Sequence, residues 1–210
     1  MSANDMDELQ AVAQSIADER ISASARDGFD TLLQQALRGS LVPAGTDAVI
    51  TAVEVDDLAE KKMVVLTISS YLFRLMVMFH FTPDAATKGH FTRLAGDGAT
   101  EVGAGGAAAA ESEQAFMDAL AECGNLCCGI FNRELGRFFP HLGMSTPNVI
   151  DTQCLLYLHK LRHAHVRHFA IDIDPSPRLH VSLCVSAYDR LDFAVSAEEQ
   201  ADTTGELELF

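Results

Sequence analysis

The chain has 210 residues, 48% of them apolar, enough for one ample domain with a true core, and this excludes disorder of the whole chain. Thirty Asp and Glu against 15 Lys and Arg give a formal charge of −15, which makes nucleic acid or an anionic membrane an unfavourable partner, because phosphate binding needs clustered cations. No apolar run approaches the roughly 20 residues of a membrane span, and residues 1–20 lack the basic and apolar regions of a signal peptide, so a cytoplasmic protein without membrane insertion is expected.

Met6, Leu9, Val12, Ala13 and Ile16 recur at helical spacing and predict an N-terminal helical extension over residues 1–22. The main domain is expected over 23–195. It opens with a helix over 25–37, whose Phe29, Leu32, Leu33, Ala36 and Leu37 share one side and which Gly39-Ser40 closes. From Asp47 the period changes to two: Val49, Thr51, Val53 and Val55 form one strand, Lys61–Ile68 a second, and Leu72–Phe81, ended by Pro83, a third. Residues 84–110 hold Gly96, Gly98, Gly103, Gly105, Gly106 and an alanine run, and are expected to be a flexible connection. They do not form a phosphate loop, since the Gly-Lys-Ser/Thr ending is missing.

Glu111–Arg137 is the most persuasive helix, with acids at its positive end and Pro140 beyond its close. After Ser145-Thr146-Pro147, residues 149–161 are expected to be a short helix, and 165–174 and 179–188 strands around the Pro175-Ser176-Pro177 turn. Residues 196–210 form an acidic tail. The order helix, strands, linker, helix, turn, strands suggests two similar α+β halves.

Five cysteines, Cys123, Cys127, Cys128, Cys154 and Cys184, make an odd and crowded set, which argues for buried reduced thiols rather than a disulfide framework. His159, His163, His165 and His168, intermixed with Lys160, Arg162 and Arg167, read as a basic surface patch. His159 and His163 at i, i+4 offer zinc a weak alternative, without the Glu of His-Glu-x-x-His, and no metal site is assigned.

At about 100° per residue, Asp118, Glu122, Asn125 and Gly129 fall in one narrow stripe of the long helix, opposite Phe116, Leu120, Cys123, Cys127, Ile130 and Phe131. Burial of the apolar arc turns the stripe outward. It reads either as a solvated helix surface or as a site. Asn is a mediocre helix former and Gly129 costs about 1 kcal/mol relative to Ala, so the stripe is not optimised for helix stability. A glycine there would let another backbone come close.

The segment from Asp118 through Glu122 and Asn125 to Gly129, followed by Ser145-Thr146-Pro147-Asn148-Val149-Ile150, resembles the CheX/CheC/FliY family of chemotaxis phosphatases. Asp118, Glu122, Asn125 and Pro147 match the family pattern, with 21 residues between Asn125 and Pro147, one fewer than that pattern has. The resemblance implies a CheC-like α+β fold, an antiparallel sheet with long helices packed on it in two pseudo-symmetric halves. It implies a hydrolase that removes phosphate from a CheY-like response regulator. Asn125 would orient the attacking water and Glu122 would pair with the regulator's lysine, with Asp118, Gly129, Ser145, Thr146 and Pro147 in supporting or partner-binding roles. No cofactor of its own is implied, since Mg²⁺ belongs to the regulator. The first helix offers Gln34 where Glu is required and Leu37 where Asn is required, so one site per chain is expected, in a CheX-like homodimer. The alternative is a non-catalytic module of the same fold that binds a response regulator or a flagellar switch component.

Overall fold

The structure is a computed structural model and describes residues 20–54, 58–60, 62–94, 106–154, 161, 163–174 and 178–196, with side chains in the long helix from 113 onward. The expected helix over 6–17, the glycine-rich stretch 95–105, His159, the Pro175–Pro177 turn and the acidic tail from 197 lie outside the described residues.

Helix α1 (Ala23–Leu41) begins at Ser22, whose hydroxyl accepts the Ala25 N–H at 3.1 Å and so caps one of the free donors of the first turn. Strands β1 (Ala48–Val53), β2 (Lys62–Ser69) and β3 (Phe73–Phe81) follow. Helix α2 (Ala85–Leu94) is a departure from the flexible connection expected over 84–110. The glycines that give that segment its character cluster at 96–106, whereas 84–94 has what a short helix needs. Asp84 caps it by accepting the Thr87 N–H at 2.8 Å, and Phe91 is buried from its inner face. Helix α3 (Gly106–Leu135) starts five residues before the expected Glu111.

Strands β4 (Gly143–Met144) and β5 (Asn148–Asp151) come next, so residues 149–151 are strand where a helix was expected. Asn148–Asp151 pairs with Lys62–Val65 of β2, and that ladder outweighs the helical spacing of a short apolar run. Strands β6 (His165–Ile173) and β7 (Leu179–Ala187) complete the chain as expected.

All strands join one antiparallel sheet in the order β1-β6-β7-β3-β2, with β4 and β5 both on the outer side of β2. This order reads the same from either end once the two halves are written as α1-β1-β2-β3 and α3-β5-β6-β7. In each half the first strand crosses over to pair with the second strand of the other half. The expected pseudo-twofold arrangement is therefore present, with β3 and β7 side by side at its centre.

Helices α1 and α3 pack on each other and cover one face of the sheet. The core between the layers gathers Leu33 and Leu37 of α1, Cys127 and Phe131 of α3, and Leu66, Leu75, Phe169, Leu183 and Val185 of the sheet. At one end Phe29, Phe73, Phe139 and Phe193 stack with centroids 5.0–6.3 Å apart, which fixes the segment around Phe193 against α1.

Candidate functional site

Helix α3 is amphipathic in the way its sequence requires. Phe116, Leu120, Cys123, Gly124, Cys127, Cys128, Phe131 and Leu135 are buried against α1 and the sheet, which leaves Asp118 and Glu122 exposed and Asn125 and Gly129 half-buried at the border. The close approach of helix to sheet falls at Gly124. A Cβ there would stand 3.0 Å from Leu66 Cδ1. A Cβ at Gly129 would have nothing within 4 Å, so among the described residues Gly129 makes room for nothing.

Among the described residues, no side-chain hydrogen bond within the chain involves Glu122 or Asn125. Asp118 differs, since its carboxylate accepts a hydrogen bond from Gln114 Nε2 at 2.7 Å, one helical turn earlier. The stripe therefore presents one uncommitted carboxylate and one uncommitted amide, a turn apart on a rigid element. A carboxylate can meet a cation, and an amide can hold a water by donating and accepting at once.

Ser145-Thr146-Pro147 follows directly after β4, which contacts α3, at the outer edge of β2. The ladder registers define its geometry. Met144 pairs with Ile68 and Asn148 with Val65, so three residues of the edge face two of β2. This is a β-bulge, and Pro147, which has no N–H to donate, sits in the unpaired stretch. Ser145 closes the gap: its N–H donates to the Thr67 carbonyl at 2.9 Å, and its Oγ accepts the Thr67 N–H at 3.0 Å and donates to the Thr146 carbonyl at 3.0 Å. The Ser145 hydroxyl is thus committed to the sheet, while the Thr146 side chain is exposed beside it. A one-residue difference between Asn125 and Pro147 falls near a bulge, where a residue more or less alters the unpaired stretch rather than the helix.

Three histidines that the sequence groups in one patch are separated by the fold. His163, His165 and His168 do not form a surface patch: His163 and His165 are buried, His168 is half-buried, and each has its own partner. His163 Nδ1 lies 3.0 Å from Ser186 Oγ, His168 Nδ1 2.6 Å from Ser182 Oγ, and His165 Nε2 2.7 Å from Asp30 Oδ1. Arg167 Nε donates to Asp30 Oδ2 at 2.9 Å. Strand alternation explains the difference, because it turns His165 to the helix side and His168 to the opposite face. His163 lies just before β6 and outside any helix, while His159 is outside the described residues. Among the described residues no group of three or more His, Cys, Asp or Glu could hold a metal ion.

The first helix offers no second stripe. Asp30 is occupied by His165 and Arg167, and Leu37 is fully buried in the core. Cys123, Cys127, Cys128 and Cys184 are buried, and burial pushes their thiols up, to about 11 for Cys123 and about 12 for Cys127 and Cys184. They stay protonated and are not nucleophiles.

Sequence reasoning missed one feature beside the stripe. A groove of 420 Å³ runs between the end of α1, the end of α2 and α3, and Glu122 and Leu126 line it. Leu126 is 50% exposed, an apolar side chain next to Asn125 with no cover. The overlooked signal was Asp84 followed by Thr87, Phe91 and Leu94, the spacing of a short capped helix.

No family model and no curated protein matches the sequence. Solved structures do. A chain of the CheX–CheY–BeF3–Mg²⁺ complex from Borrelia burgdorferi superposes with a TM-score of 0.52 at 11% identity, over 76% of this chain and 96% of that one. The chain has the fold of the CheX and CheC-like chemotaxis proteins. CheX from Desulfovibrio desulfuricans (TM-score 0.47, 15% identity, 76% of this chain and 97% of that one) and a CheC-like superfamily protein from Shewanella sp. PV-4 (0.49, 10%, 79% and 99%) are also similar. The CheX-like fold sets α3 on the sheet with its Asp118–Glu122–Asn125 stripe outward. No helix among the described residues is long and apolar enough to cross a membrane.

Proposed function

We propose that this chain is a CheX/CheC/FliY-type phosphatase that hydrolyses the aspartyl phosphate of a CheY-like response regulator in chemotaxis signalling. The observation that carries the reading is the pairing, on one face of α3, of an exposed Glu122 and a half-buried Asn125, neither held by a side-chain hydrogen bond among the described residues. The fold shared with a chain from a CheX–CheY complex supports a partner of the CheY class.

The chemistry asks little of this protein. An aspartyl phosphate beside its own Mg²⁺ and lysine is already activated, so a water held in line with phosphorus completes the reaction. The water oxygen bonds to phosphorus, the bond to the aspartyl oxygen breaks, and phosphate leaves with the water's proton redistributed to solvent. Asn125 orients that water by one donated and one accepted hydrogen bond, without the charge that would repel the phosphoryl oxygens. Glu122, one turn earlier, pairs with the regulator's lysine and fixes the helix in place. Asp118 and Pro147 shape the surroundings, and no metal of the chain's own takes part. Each chain carries one such stripe, and two chains pair as a homodimer; the exposed Val149 and Ile150 on edge strand β5 offer a surface for that pairing.

The test is the decay of phosphorylated regulator with and without this protein. Asn125→Ala should abolish the acceleration, a loss of about 100-fold or more for a water-positioning group, and leave binding in place. Unchanged decay alongside measurable binding by the wild-type chain would instead assign it as a non-catalytic regulator-binding or flagellar-switch module.

A further inference from the structure

We infer that the groove between α1, α2 and α3 seats an apolar side chain of the same phosphorylated receiver whose lysine meets Glu122. The inference rests on the reading above and adds a specificity-determining surface to it.

The groove holds 420 Å³; Val42, Leu94, Ala119 and Leu126 give it an apolar wall, and Glu122 and Arg93 are its charged members. Glu122 belongs both to the stripe and to the groove wall, so a partner whose cation reaches Glu122 lies over the groove as well. An occupant matched to it presents a positive group beside an aliphatic or aromatic side chain. A second copy of this chain is a poor match, because Glu122 on the α3 side of the groove belongs to a protein of net charge −15, and like-charged surfaces repel.

The wall formed by α2 is firmly held. Phe91 is buried and its ring centroid is 6.1 Å from that of Phe116 on α3, His90 is fully buried, and Lys88 Nζ donates to Glu113 Oε2 at 2.6 Å. A rigid wall makes a preformed pocket, and a preformed pocket beside a charged anchor gives selectivity among receivers that share the lysine and the phosphoaspartate. Receivers with an apolar residue next to that lysine fill the groove, and those with a charged residue there leave it desolvated or unfilled.

The experiment titrates this protein against each CheY-type receiver of the source organism, loaded with BeF3⁻ and Mg²⁺, and follows decay with the phosphorylated forms. Leu126→Asp puts a charge on the wall from an exposed position, and Ala44→Trp, from the exposed loop on the rim, fills the space. Thermal melts confirm that both fold; Leu126→Asp, at an exposed site, carries the test if Ala44→Trp does not. Both variants should weaken binding of the preferred receiver by about tenfold, raise KM and keep kcat at saturating receiver, since Asn125 is intact. Folded variants that bind as the wild type does would overturn the inference and leave the phosphatase reading standing. Variants that dissolve a self-association without touching receiver binding would give the groove to a second copy, which also overturns it. Retained acceleration in Asn125→Ala would remove the reading and this inference with it.

Discussion

Two glycines on α3 show how a residue's role depends on what lies opposite it. Gly124 faces the sheet, where an added Cβ meets Leu66 at 3.0 Å. Gly124→Val is therefore expected to cost about 1–3 kcal/mol through overpacking, read as a lower urea midpoint with an unchanged slope. Gly129 faces open space. Gly129→Ala is expected to raise the stability of the isolated protein by up to about 1 kcal/mol from helix propensity alone. The same substitution should slow regulator decay if a partner's backbone comes close at this point; unchanged decay would remove Gly129 from the site. The sequence places both glycines on the helix but assigns the close approach to Gly129 alone, because the helix pattern does not say which border position touches the sheet.

At the scale of elements, the sheet edge beside α3 depends on one hydroxyl. Ser145 Oγ satisfies the Thr67 N–H across the bulge, a donor that the edge ladder leaves without a carbonyl. Ser145→Ala should cost about 1–2 kcal/mol and speed hydrogen exchange at Thr67; an unchanged exchange rate at Thr67 would show that the hydroxyl is dispensable. A second link joins α1 to β6. Asp30 is buried and accepts from both His165 and Arg167. Its replacement by Ala strands a buried imidazole, and should destabilise by about 2–4 kcal/mol, less than a fully buried pair because Arg167 stays half-exposed. A loss below measurement error in denaturant melts would mean that solvent takes over the role of Asp30. The helix α2 belongs at this scale too: its sequence has a cap and an apolar face, and the glycines that follow it disguise both.

For the molecule as a whole, the sheet face opposite the helices carries a polar network that is expected to weaken the fold in acid. His80 Nε2 lies 2.7 Å from Ser182 Oγ, which also bonds His168, and His180 bonds Glu60. Burial holds the His80 imidazole down to about 4 against an ordinary 6.5, with the Glu60 carboxylate opposing the shift. The unfolded chain accepts a proton that the folded chain refuses, so stability is full above 6.5 and is lost as pH falls from 6.5 toward 4. His90, His163 and His168 are lowered by burial as well and act in the same direction. The urea midpoint should therefore be lower at about pH 5 than at about pH 7.5, and His80→Gln, which cannot take up the proton, should narrow the gap. Equal midpoints at the two pH values would contradict this account.

The amino-acid sequence by itself determined the strands of period two, the outward stripe of Asp118, Glu122 and Asn125, and the absence of a matching stripe on the first helix. Local periodicity and propensity suffice for those, since each depends on residues within a few turns of one another. Tertiary structure alone decided the crossed pairing that makes the sheet palindromic, the bulge at Ser145–Pro147, the conversion of a supposed histidine patch into separate buried bonds, and the groove beside Glu122. Each of these needs partners far apart in the chain, and long-range register and burial are set by the packing of the whole core rather than by any local pattern.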